Sequence, residues 1–330
     1  MRLVNSACPH SGGPTHSALQ PDVVTVAAGF PTALLSAEIE RLAPVTRLLS
    51  TGNFDVYFER AAAMPKLMHD IARLRELSFR DVGEGTGLTL DIDRFDACYH
   101  QLFVWDRRSQ CIAGAYRIAF TEEVSAISGV EGLYAHSLFE FSDRLLQRLG
   151  PSLELGRSFV SPDYQGGSQV LRLLWAGIVA VLDRQPEIKV LYGPVSISPR
   201  LSEVSRMLIM AAITLHHEDP ELAGLVRARH APDRLRQTGA RRLTDVSAGL
   251  ADPARLFRFL RRLERGVALP VLIKHYIDLK GRFAGFNVDE AFGGTVDGLV
   301  FVRVKDIPER MRTRLTRLRG VPFNAIPKSD

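Results

Sequence analysis

Apolar and polar residues alternate from Phe54 to Arg60 with the period of a strand, then recur from Ala61 to about Val82 with the period of a helix, where Leu67, Ile71, Leu74 and Leu77 form one stripe. The two periods keep trading places. Leu102 to Trp105 and Cys111 to Phe120, separated by the polar Asp106 to Gln110, read as a hairpin. A stripe of Leu138, Phe141, Leu145 and Leu149 predicts one helix over Ser137 to Leu149, ended by Gly150-Pro151. Leu153 to Val160 follows as a strand, and Ser161 to Ser168 as a turn into a helix bearing Leu171, Leu174, Trp175, Ile178 and Val181. Ile188 to Val195 is a further strand, and Pro199 opens a helix that ends in His216-His217. Ahead of all this, residues 1 to about 30 lack periodicity and read as a mobile leader, and Thr32 to Ser50 reads as a helix interrupted at Pro44. The last third predicts two Arg-rich helices, a helix from Pro270 to Ile277, strands over Gly281 to Val288 and Gly298 to Val304, and a basic helix over Pro308 to Arg319.

One strand breaks the pattern. Leu153 to Val160 is short and apolar enough to sit inside a sheet, yet it carries Glu154 and Arg157, charges that burial penalises unless they are paired or used. Alternation sends them to opposite faces, and a bulge at Gly156 would swing both to one side and open the strand. On the hairpin, Arg117 shares a face with Cys111, Ala113, Ala115 and Ala119, a floor of small residues with room for a ligand. A plain buried ion pair is the alternative for Glu154 with Arg157, and a salt bridge closing the sheet face for Arg117. Asp93 and Asp96 either hold loop geometry or take up a cationic group. The aspartates lack the twelve-residue calcium-loop pattern, and no metal site is expected. Gly166, Gly167 and Ser168 lead into a helix N-terminus whose free N–H groups suit a phosphate, or merely cap the helix.

Charge and cysteine usage narrow the class. Residues 221 to 330 hold 22 Lys and Arg against 12 Asp and Glu, whereas the rest of the chain holds 20 against 25. That basic third suits an acidic protein or an anionic membrane surface, or is a solvated face. Nucleic acid is the weaker reading, because few aromatics interleave the arginines. Cys8, Cys98 and Cys111 form neither a disulfide framework nor a metal spacing, which fits a reducing, cytoplasmic setting with at most peripheral contact to the inner face of a membrane. No apolar run approaches the roughly 20 residues of a membrane span.

The order of elements, with Arg75, Glu76 and Phe79 in the first long helix, Asp93 and Asp96, Arg117, and Glu154-Leu155-Gly156-Arg157, resembles the GNAT-type acyltransferases of the acyl-carrier-protein-dependent branch. Ornithine lipid N-acyltransferases and acyl-homoserine-lactone synthases share that branch. Leu269 to Tyr276, Gly281-Arg282-Phe283, Val288-Asp289, Phe292 and Asp297 to Val300 are similar to the tail of the ornithine lipid and hemolysin-like proteins. The resemblance implies an α/β fold with a mixed, mostly antiparallel sheet flanked by helices. Residues 1–52 would be a leader and amphipathic helix, 53–218 the acyltransferase core, and 219–330 a basic helical and strand extension packing on it. It implies transfer of a 3-hydroxy fatty acyl group from acyl carrier protein to the α-amino group of an amino acid such as ornithine, with no bound cofactor beyond the phosphopantetheine thioester of the co-substrate. Glu154 would be the base, with Arg117 and Arg157 catalytic, and Arg75, Phe79, Asp93, Asp96, Ser158 and Phe159 around the substrates. Backbone N–H groups near Ser158 or Phe159 would meet the thioester oxygen. Gln165 to Val170 departs from the glycine spacing of acetyl-CoA loops, which disfavours the alternatives' CoA-dependent acetyltransferase. A homoserine-lactone synthase is the other alternative.

Overall fold

In the computed structural model, residues 24–232, 250–264 and 269–319 are described. The chain enters through α1 (Thr32–Arg41), β1 (Arg47–Thr51), β2 (Phe54–Arg60) and α2 (Pro65–Asp81), then forms the hairpin β3 (His100–Asp106) and β4 (Cys111–Phe120). Next come α3 (Thr121–Ser128), α4 (Tyr134–Leu138), β5 (Phe139–Phe141), α5 (Asp143–Leu149), β6 (Ser152–Val160), α6 (Gln169–Arg184), β7 (Val190–Ile197) and α7 (Glu203–His217). The last part holds α8 (Pro220–Ala223), β8 (Val226–Ala228), helices Pro253–Leu263 and Val271–Asp278, strands β9 (Arg282–Asp289) and β10 (Thr295–Arg303), and helix Glu309–Arg319.

Eight strands make the central sheet in the order β1-β2-β3-β4-β6-β7-β10-β9, and every neighbouring pair is antiparallel except β6 and β7. Both faces are covered, which is why its central strands read as nearly continuous apolar runs. One face packs Val56, Leu102, Tyr116, Ile118 and Leu191 against Leu174, Trp175 and Ile178 of α6. On the other, Tyr57, Phe103 and Trp105 meet Leu67 and Ile71 of α2, while Tyr192 and Phe301 meet Leu138 and Leu145.

Three expected elements differ. Pro44 ends the first helix for good, starting a short 3-10 turn, and Arg47–Thr51 pairs with β2 as an edge strand, so the sheet begins ahead of Asn53. The predicted helix over Ser137 to Leu149 is cut by β5, which pairs with β8. Arg227 therefore lies on a strand, beside Glu140, and not on a cationic helix. Arg234, Arg236, Arg241, Arg242 and Arg265 fall outside the described residues. Past Asp219 the chain supplies β10 and β9, so it completes the central sheet.

Candidate active site

The parallel neighbours β6 and β7 stay together for three residue pairs only, Ser152 with Val190, Leu153 with Leu191 and Glu154 with Tyr192, and then part. Two local features end the pairing. β6 carries a bulge against β4, where Arg157 and Ser158 together oppose Tyr116, and Arg157 adopts φ +49°, a conformation unusual for a side chain of its size. In β7, Gly193 lies so close to β6 that an added Cβ would stand 1.9 Å from the Leu155 carbonyl oxygen, and Pro194 after it has no N–H to continue a ladder. Beyond the split, the β7-facing edge of β6 has no strand partner, so backbone groups between Gly156 and Val160 are available to a ligand.

The bulge is held by a lattice of six charges, all buried except the half-buried Asp93. Arg157 pairs with Asp91 (3.2 Å) and Asp93 (3.3 Å), Arg117 with Asp93 (2.6 Å) and Asp96 (3.2 Å), and Arg75 with Asp96 (3.2 Å) and Asp91 (4.0 Å). Three arginines meet three aspartates, which is what makes their burial tolerable. Burial pushes the Asp96 carboxyl up, but Arg75 and Arg117 more than reverse that and hold it at about 2. The Arg157 guanidinium also lies between two rings, 4.6 Å from the centroid of Tyr134 and 4.5 Å from that of Phe292.

A cavity of about 300 Å³ fills the split. One part of its wall is apolar, made by Phe79, Val82, Leu155, Phe159, Val195, Leu269 and Leu272. Glu84, Asp289 and Asp297 line it too, with Ser196 and Thr295. Burial lifts the Asp297 carboxyl to about 7, against a hydrogen bond from Ser196 and with the charge of Asp289 adding to the rise. Glu84 rises to about 8 through burial and the charge of Asp297.

Of the residues singled out from sequence, Phe79, Arg157, Ser158 and Phe159 line this cavity. Arg75, Asp93, Asp96 and Arg117 do not: they are the lattice behind the bulge. The expected open floor around Arg117 is absent for a local reason. A second bulge, in β4 between Ile112 and Gly114, breaks the alternation, so Ala113 and Ala115 face opposite sides, and Phe95, Tyr99 and Tyr134 crowd the guanidinium. The bulge in β6 falls one residue later than expected, at Arg157, and it does bring Glu154 and Arg157 to the Tyr134 side. Glu154 nevertheless lies outside the cavity, 1% exposed, accepting from the Tyr99 hydroxyl (2.6 Å) and the Ala135 N–H. Burial raises its carboxyl. It is a poor candidate for the base because both oxygens are already taken by these donors. Gly166, Gly167 and Ser168 stand at the start of α6 without lining the cavity, whereas Gln165 lines it. Glu84, Tyr116, Tyr134, Asp289 and Asp297 were not assigned to the site from sequence. Asp297 carried the same signal as Glu154, a lone carboxylate in a buried apolar strand.

The chain is similar to several known proteins. Residues 74–176 match the GNAT acetyltransferase domain. A glycine N(alpha)-acyltransferase of Bacteroides thetaiotaomicron is 30% identical over 284 residues, 81% of this chain and 82% of that protein. The glycine N(alpha)-acyltransferase of Phocaeicola vulgatus is 28% identical over 281 residues, 81% and 85% of the two chains. A solved CoA-dependent acyl-homoserine lactone synthase, BjaI with MTA, superposes over 81% of this chain and 90% of its own at 12% identity and a TM-score of 0.40. With 30% identity sustained across four fifths of both chains, this protein belongs to the GNAT acyltransferase family, with the glycine N(alpha)-acyltransferases among its members, and is an N-acyltransferase.

Proposed function

We propose that the enzyme moves a fatty acyl chain, 3-hydroxylated in the physiological donor, from the phosphopantetheine thioester of acyl carrier protein to the α-amino group of an amino acid, yielding a lyso-amino-acid lipid. The observation that carries this reading is the cavity between β6 and β7, which joins an apolar wall suited to an acyl chain to carboxylates suited to an amine. The unpaired edge of β6 offers N–H donors to the thioester oxygen as charge develops on it. We assign the donor's phosphate to the first turn of α6, at Gly166, Gly167 and Ser168. The carrier is acidic, and the helix Pro253–Leu263 offers exposed Arg255, Arg258, Arg261 and Arg262 beside the Val271–Asp278 helix that walls the cavity. Exposed Phe259, Leu263 and Val271 on these two helices suit peripheral contact with an anionic membrane that receives the product. Among the described residues no helix is long and apolar enough to cross one.

Ornithine fits an acceptor site that holds three carboxylates. A glycine acceptor is the second reading, favoured because both relatives are glycine N(alpha)-acyltransferases. The test is a purified reaction with 3-hydroxyacyl carrier protein and either ornithine or glycine, read by mass spectrometry of extracted lipid. An amide-linked lipid from the carrier-bound donor is expected. Saturable turnover of acetyl-CoA without carrier protein would overturn the donor assignment, and the absence of any amide would overturn the reading.

A further inference from the structure

Glu84, Asp289 and Asp297 reach the cavity from three separate places in the chain: the loop after α2, the end of β9 and the start of β10. None has an ion-pair partner among the described residues. Arg157 is the cation nearest to hand, and it is committed to Asp91 and Asp93 and wedged between Tyr134 and Phe292. Asp289 spends one oxygen on the N–H of Ala291 (3.0 Å). Asp297 is 5% exposed and accepts one hydrogen bond, from Ser196 Oγ to its Oδ1 at 2.7 Å, which leaves Oδ2 open. Glu84 makes no side-chain hydrogen bond among the described residues. The Tyr116 hydroxyl, on a side chain 1% exposed, lines the same cavity beside Ser158 and Tyr276. Buried carboxylates without counter-ions disfavour the empty site and favour one that holds a cation.

We infer that Asp297, backed by Glu84, takes the proton from the acceptor's ammonium group, the role that the sequence resemblance implies for Glu154. The inference rests on the acyl-transfer reading above. The step balances without a further reactant. The ammonium gives one proton to Asp297 Oδ2, and the neutral amine nitrogen attacks the thioester carbonyl carbon. The C–N bond forms, the C–S bond breaks, and the leaving thiolate takes a second proton from the nitrogen, which keeps the third as the amide N–H. Asp297 then returns its proton to water by way of Glu84. A carboxyl lifted to about 7 is matched to this task near neutral pH, because it is basic enough to accept the proton and still largely ionised just above that pH. Burial, Ser196, Asp289 and Arg157 set the titration of Asp297; Asp297 in turn raises Glu84 and Tyr134, and Arg157 and His230 act on Asp289.

The test is kcat and kcat/KM against pH for the wild type, Asp297→Asn, Glu84→Gln and Glu154→Gln, with circular dichroism to establish folding. Wild-type kcat/KM should fall below about pH 7. Asp297→Asn should lose that acid limb, lose about 100-fold or more in kcat at pH 7 with KM for the thioester unchanged, and recover in part near pH 9, where the amine sheds its proton unaided. Glu84→Gln should reduce kcat less and leave the limb near pH 7, because Glu84, lifted to about 8, is largely uncharged there. Glu154→Gln, if folded, should keep the limb. An unaltered rate and limb in Asp297→Asn, with the wild type active, overturns this assignment alone, as does loss of the limb in a folded Glu154→Gln. A wild type that forms no amide overturns the acyl-transfer reading as well.

Discussion

Replacing Asp96 with Asn probes the lattice that holds the β6 bulge, and its size follows from the structure. Asp96 is 2% exposed and accepts from Arg75, Arg117, Gln101 Nε2 (3.0 Å) and the backbone N–H of Asp93 (3.0 Å). Its carboxyl sits at about 2 against an ordinary value near 4, and that difference is worth about 2.5 kcal/mol of folding free energy at neutral pH. The amide keeps the shape but leaves three buried arginines against two aspartates. Breaking a buried pair on one side typically costs about 3–5 kcal/mol, because the remaining charge stays buried. The two routes agree on a loss of about 2.5–5 kcal/mol. Urea unfolding at pH 7 measures it. The sign with pH is fixed: a carboxyl depressed by folding contributes stability that is present above about pH 4 and is lost as pH falls through about 2. The gap between wild type and Asp96→Asn should therefore be constant from pH 7 to 5 and shrink below pH 4. A loss under about 1 kcal/mol at pH 7, or a gap that widens in acid, would refute the argument that Asp96 neutralises the lattice.

Gly193→Ala drives a methyl into the Leu155 carbonyl, where 1.9 Å is available, and should destabilise by about 3 kcal/mol or more by urea unfolding, whereas Gly156→Ala, with no atom within 4 Å, should change stability by less than about 0.5 kcal/mol. Tyr99→Phe removes the donor to Glu154 and the acceptor for the Tyr134 N–H, and should lower stability by about 1–3 kcal/mol in the same assay. Asp297→Asn should have the opposite sign. Folding raises this carboxyl to about 7, so wild-type stability is full below about pH 4 and declines as pH rises to 7; the variant should match wild type at pH 4 and exceed it by up to about 4 kcal/mol at pH 8, read as a rise in Tm.

Local pattern carried much of this molecule. The hairpin of β3 and β4, the charged strand β6, the helices α2 and α6 and both C-terminal strands follow from apolar period and from Gly and Pro punctuation, because those signals act within a few residues. The charges of Glu154 and Arg157 also marked β6 as the strand where the sheet opens. Their roles were not legible there. Side-chain direction beyond a bulge depends on how many residues the partner strand sets against it, so β4 and β6 exchange faces at Ala113 and Arg157 in ways no single strand discloses. Gly193-Pro194 was a readable sign of the split, though only alongside β6 does its meaning appear.

What the sequence by itself determined is the set of elements, their order and the presence of charges inside apolar strands, since period and burial preference are properties of short stretches. Only the tertiary structure decided which charges neutralise one another and which face a ligand. Arg117 meets aspartates more than twenty residues earlier, Arg157 meets them more than sixty earlier, and Glu84 shares one cavity with Asp297, more than two hundred residues later. A carboxylate's charge state depends on burial and on neighbours in space, so its function becomes readable only when the sheet has brought those neighbours together.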